Sequence, residues 1–190
     1  MSASASFVKS LLAQCCLGGI CEWVVCPGAR NMALLQVLAA AEDLVKWTHF
    51  DERSAAFFAL GRIQDMGLPV AVVTTSGTAA AELLPAVVEA YYQRRPLLLL
   101  TADRRGSAAP QAIEQADLFG IYAPTIDLET PDSLPEDILE DWDYASPLHI
   151  NVCLPDPDPA WNPGNCDLYP AEPPEENDFR GSLAELVRKG

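Results

Sequence analysis

Short apolar runs alternate with longer stretches of helical period along most of this chain, and few folds accommodate that alternation. Phe7, Leu11, Leu12 and Cys15 recur at helical spacing, and Gly18-Gly19 ends that helix. Trp23 to Cys26 is a short apolar run closed by Pro27-Gly28, which predicts a buried strand; Arg30 to Glu42 returns to helical spacing. Further strands are predicted at Val45 to Phe50, Val70 to Thr74, Leu97 to Thr101, Ile121 to Ile126 and Leu148 to Leu154. Helices are predicted over Glu52 to Met66, Thr78 to Gln93, Ala112 to Phe119 and Leu134 to Tyr144. Such alternation implies an α/β fold, a parallel sheet of about five to six strands with helices on both faces.

In a sheet of this kind, ligands gather beyond the carboxyl ends of the strands. That rule selects the turns Cys26 to Arg30, His49 to Arg53, Thr74 to Thr78 and Thr101 to Arg105. Charge limits what could bind there. The formal net charge of -15 is uneven: residues 1–126 carry 11 acidic and 9 basic side chains, residues 127–190 carry 16 and 3. Proline divides similarly, with 11 of 16 between Pro124 and Pro174. The pattern predicts a folded domain over residues 1–154 and a proline-rich acidic linker over 155–190, ending in a short helix from Ser182 to Lys189. So acidic a chain is a poor partner for nucleic acid or anionic membranes.

No stretch approaches the roughly 20 apolar residues that a bilayer helix needs. Lys9 followed by Leu11, Leu12 and Ala13 loosely suggests a secretory signal, but the run is short and Gln14 interrupts it. A cytoplasmic protein is expected. The six cysteines form no C-x-x-C pair, and His49 and His149 are the two histidines, so no metal site is expected; the thiols read as small buried groups.

Each selected turn carries unusual chemistry. Arg30 stands at a helix start, where the dipole disfavours a cation, so either an acidic neighbour or an anionic ligand accounts for it. Thr74-Thr75-Ser76-Gly77-Thr78 is either a capping sequence or a turn that lets a ligand approach the backbone. Asp51 and Glu52 could cap a helix, or one carboxylate could hydrogen-bond a heterocycle and exchange a proton with it. Arg104 and Arg105 add two cations at a fourth strand end. Neither G-x-G-x-x-G nor a Walker lysine motif occurs.

Cys-Pro-Gly-Ala-Arg (26–30), Thr-His-Phe-Asp-Glu-Arg-Ser-Ala-Ala-Phe-Phe-Ala-Leu-Gly (48–61), Val-Ala-Val-Val-Thr-Thr-Ser-Gly-Thr-Ala (70–79) and Leu-Leu-Leu-Thr-Ala-Asp-Arg (98–104) follow one another in the order of a known family. From about residue 7 to Gln115 the chain resembles the N-terminal, pyrimidine-binding domain of the 2-succinyl-5-enolpyruvyl-6-hydroxy-3-cyclohexene-1-carboxylate synthases of menaquinone biosynthesis. The resemblance implies a thiamine-diphosphate-binding fold of pyrimidine type, and a transferase that joins decarboxylated 2-oxoglutarate to isochorismate. It implies that Glu52 hydrogen-bonds the aminopyrimidine and activates the cofactor, and that Ser76, Gly77 and Thr78 lie against it. Arg30, Arg104 and Gln111 match substrate-binding groups. Magnesium would be held mainly by a separate diphosphate-binding domain, and pairing of like domains implies a homo-oligomer.

Departures from the family are specific. Ala29 replaces a serine, Glu82 an asparagine, and Arg105-Gly106-Ser107 a proline-rich stretch before Gln111. No Gly-Asp-Gly motif for the diphosphate occurs, so the 190-residue chain alone is expected to be inactive. Another thiamine-diphosphate carboligase or decarboxylase, or a binding module of the same fold without catalysis, are the alternatives.

Overall fold

The computed structural model describes residues 3–104, 112–156, 158 and 160–170. Gln111, the altered stretch Arg105 to Ser107 and the helix expected at Ser182 to Lys189 lie outside the described residues. Among those described, β1 (Glu22–Val25), β2 (Val45–Thr48), β3 (Val70–Thr74), β4 (Leu97–Asp103), β5 (Thr125–Leu128) and β6 (Leu148–Cys153) form one sheet in the order β2-β1-β3-β4-β6-β5. Every pairing is parallel, as the alternation requires.

Side chains alternate across each strand, and two cores result. On one face α1 (Ala3–Leu17) and α2 (Met32–Ala40) set Leu11, Leu12, Leu34 and Leu38 against Trp23, Val73, Leu100 and Ile150. On the other, α3 (Glu52–Met66) and α5 (Leu84–Tyr92) set Ala55, Ala59, Ile63, Ala86 and Val87 against Val24, Val72 and Leu99. Each large apolar side chain so buried contributes about 1.5–3 kcal/mol. After β6 the chain returns over the first face, where Cys166 and Leu168 are buried and Gln36 Nε2 donates to the Trp161 carbonyl at 2.9 Å. Among the described residues, no helix is long and apolar enough to cross a membrane.

Helix α3 begins and ends as the sequence predicts because both caps are local. Asp51 Oδ1 accepts from the Ser54 amide at 2.7 Å, and Gly67 closes the helix at φ 73°, in the left-handed region. Three expectations need correction. The helix predicted over Thr78 to Gln93 is two helices, α4 (Thr78–Ala81) and α5, because Pro85 has no N–H for the Ala81 carbonyl and its ring crowds that group. The segment predicted as a helix over Ala112 to Phe119 is irregular, with Asp117 at φ 56°; a single 3-10 turn at Gly120–Tyr122 stands where strand was expected, and β5 starts only at Thr125. Leu134 to Tyr144 forms turns rather than a helix: Glu136, Asp137, Glu140, Asp141 and Asp143 would crowd like charges on a helix surface.

Candidate functional site

The strand order reverses around β1, which lies between β2 and β3, so the loops leaving β1 and β3 diverge and leave a crevice at their carboxyl ends. The two loops touch at its floor. A Cβ on Gly28 would stand 2.5 Å from Thr75 Cβ and 2.8 Å from Thr75 Oγ1, so this contact requires glycine. Buried Asn31 locks the turn from within: Oδ1 accepts from the Gly28 amide at 2.9 Å, and Nδ2 donates to the Cys26 carbonyl at 2.9 Å.

Arg30 leaves the same turn and reaches the end of β6. Nη1 donates to the Leu154 carbonyl at 3.0 Å and Nη2 pairs with Asp156 at 2.7 Å; the arginine side chain is 10% exposed and the aspartate 92%. Glu52, half-buried, opens α3 beside the end of β1. It and Asp51 act on the neighbouring Cys26 thiol, which burial first and then these carboxylates push up to about 12. Cys26 is therefore an inert thiol. The carboxylate of Asp51 is spent on capping, held below its usual range by the Ser54 hydrogen bonds, which leaves Glu52 as the acid of this turn not engaged in the cap.

Gly77 is buried at φ 83° and ψ −138°, a conformation open to glycine, and Ser76 and Thr78 flank it toward the surface. Its amide donates to Gln115 Oε1 at 2.9 Å. Gln115 belongs to a buried polar network that the sequence reading missed. Its Nε2 lies 2.9 Å from Thr101 Oγ1, 2.9 Å from the Ala102 carbonyl and 2.8 Å from Asn151 Oδ1. Asn151 Nδ2 in turn donates to Asp103 and Asp127, and His149 bridges Thr101 and Thr125 through its two ring nitrogens. Burial alone pushes His149 down to about 3, so its ring is neutral. A signal was present: Thr101-x-Asp103, Thr125-x-Asp127 and His149-x-Asn151 each put polar residues at strand period. Register brings the three pairs to one face, with Thr101 opposite Asn151 and Thr125 opposite His149.

Two polar atoms at the carboxyl ends of β3 and β4 are unsatisfied. Thr74 Oγ1 and Arg104 Nε are buried and have no hydrogen-bond partner among the described residues. Arg30, Glu52, Ser76, Gly77, Thr78 and Arg104 thus all lie on loops or helix starts at the carboxyl edge of the sheet. The family model described as "Thiamine pyrophosphate enzyme, N-terminal TPP binding domain" matches residues 7–121.

The chain belongs to this family.

As a TPP binding domain it is 93% identical to a 2-succinyl-5-enolpyruvyl-6-hydroxy-3-cyclohexene-1-carboxylate synthase of Akkermansia muciniphila, over 99% of the chain and 36% of that protein. Synthases of the same name from Bdellovibrio bacteriovorus and Geobacillus kaustophilus are 44% and 49% identical over 73% and 70% of the chain, and 27% and 23% of their own lengths. The chain therefore spans about a third or less of the relatives it matches. Chemically, the carboxyl edge of this TPP binding domain carries the Glu52 carboxylate, the Arg30 and Arg104 guanidinium groups and the Gly77 turn.

Proposed function

We propose that the domain forms the pyrimidine side of a thiamine diphosphate (TPP) site in a synthase that joins a unit derived from 2-oxoglutarate to isochorismate. The observation that carries this proposal is the position of Glu52, a half-buried acid at the start of α3, close to the Cys26 thiol that opens the Gly28 turn. The residues present fit the cofactor. Thr74 Oγ1 and Arg104 Nε lack partners among the described residues, and glycine at 28 lets the loop after β1 pack directly on Thr75 of the loop after β3.

Glu52 would hydrogen-bond the aminopyrimidine ring nitrogen and pass its carboxyl proton toward that nitrogen, with partial burial keeping the pair aligned. Ser76, Gly77 and Thr78 would back the ring. When bound, thiamine diphosphate supplies the electron sink for decarboxylation. Arg30, Arg104 and Gln111 would hold substrate carboxylates, with the Asp156 carboxylate on Arg30 standing in for one of them. Magnesium would be held mainly by the diphosphate-binding domain; no group of three His, Cys, Asp or Glu side chains suited to a metal comes together among the described residues. A cytoplasmic homo-oligomer belongs to the same proposal: Phe50, next to Asp51 and Glu52, is 94% exposed, and Trp47 and Phe57 are exposed near it, an apolar surface suited to a second subunit.

The test is to graft this chain onto the remaining domains of the Akkermansia muciniphila relative and follow isochorismate consumption with 2-oxoglutarate. Turnover is expected, and Glu52→Gln should reduce kcat by about 10²–10⁴-fold while leaving the melting temperature nearly unchanged. Near-normal turnover of Glu52→Gln would refute the assigned role.

A further inference from the structure

Gly77 carries its amide inward, and the group that receives it is a side chain 38 residues away in sequence. Orientation of that side chain is unambiguous. The Gly77 N–H is purely a donor and the Ala102 C=O purely an acceptor, so Gln115 must present Oε1 to the first and Nε2 to the second. Gln115 is 2% exposed, and its amide hydrogens are further shared with Thr101 Oγ1 and Asn151 Oδ1, which tie it to β4 and β6. Helical structure is absent at this residue, because the segment turns inward to deliver the carboxamide rather than continue a backbone ladder.

The consequence lies in the peptide between Ser76 and Gly77. It is trans, as all described peptide bonds are, so its N–H and C=O point in opposite directions. Fixing the N–H on Gln115 turns the Ser76 carbonyl away from the core. Gly77 at ψ −138° has no side chain to hold this orientation, and a glycine peptide left to itself samples several.

We propose that Gln115 is a positioning residue for the Ser76-Gly77-Thr78 loop, setting the peptide that faces the cofactor. This rests on the reading of that loop as part of the thiamine diphosphate site. Gln115→Met keeps the length of the side chain and removes every hydrogen bond. In the grafted enzyme, its KM for thiamine diphosphate should rise about 10-fold, the loss of one buried hydrogen bond, while kcat at saturating cofactor changes less than about threefold. Glu22→Gln, at the opposite end of the sheet, controls for stability: it should lower the melting temperature and leave that KM unchanged. Equal KM values for Gln115→Met and the parent would overturn the proposal, as would matching KM increases in both variants. Should Gln115→Met fail to fold, amide exchange followed by mass spectrometry on the parent enzyme decides: Gly77 should exchange slowly, and exchange at the unprotected rate would overturn the assignment. Failure of the parent enzyme to bind thiamine diphosphate would instead count against the site reading, while the Gly77 exchange would still report on Gln115.

Discussion

At the amino end of β1, Glu22 is 5% exposed and fully engaged. Arg62 donates to both its carboxylate oxygens at 2.9 and 2.7 Å, and Trp47 Nε1 adds a third bond at 3.0 Å, with the guanidinium 5.6 Å from the centre of the indole. At the carboxyl end, Arg30 is just as well shielded, yet its carboxylate partner Asp156 is almost wholly in water. The same two residue types are used in opposite ways. A charge closed off by fixed partners holds β1, β2 and α3 together, whereas the Arg30 guanidinium is paired with a carboxylate that water already solvates. The Gln115 network stands between these cases, satisfied internally like Glu22 but turned toward a loop at the ligand end.

The comparison can be broken most severely at Gly28. Gly28→Ala should push the Cys26 to Arg30 turn off Thr75, costing about 1–3 kcal/mol of stability and, by moving the reacting groups apart, about 100-fold in turnover of the grafted enzyme. Denaturant melts and kinetics on the same variant check both numbers, and unchanged activity would mean the loop contact is not part of the site. Glu22→Gln comes next: a fall in melting temperature on the order of 5 °C is expected with the kinetic constants preserved. A kinetic effect there would erase the distinction between the two ends.

Acidification sharpens the comparison without any substitution. Burial depresses His149 to about 3 in the folded chain from an ordinary value near 6.5, so between these values the unfolded chain binds the extra proton. Stability is therefore complete above about pH 6.5 and declines as pH falls toward 3. Glu22, held below its usual range by the hydrogen bonds from Arg62, adds its own loss only under more acidic conditions, below about 4.5. Melting temperatures at pH 7 and pH 5 should thus differ, and His149→Gln should shrink that difference while Glu22→Gln should not.

Legibility followed the range of the interactions. Helix α3 could be read to the residue because Asp51, Ser54 and Gly67 cap it locally. Strand-end turns with Arg30, Glu52, Gly77 and Arg104 were likewise visible, because a parallel sheet puts its loops at predictable ends. The helix expected from Leu134 to Tyr144 failed because apolar spacing was weighed without the clustered acids. Gln115 was passed over as a helix residue, since its partners come from β4, β6 and the loop after β3, and no local signal reports them.

By itself, then, the sequence determined a parallel α/β sheet and the edge at which its strand-end turns gather, because strand period, helix caps and turn residues act over a few positions. Tertiary structure decided which of those groups are closed and which remain available. That choice depends on strand order and register, which bring Gly28 against Thr75, Asp156 to Arg30 and Gln115 to Gly77 across separations that no local pattern encodes.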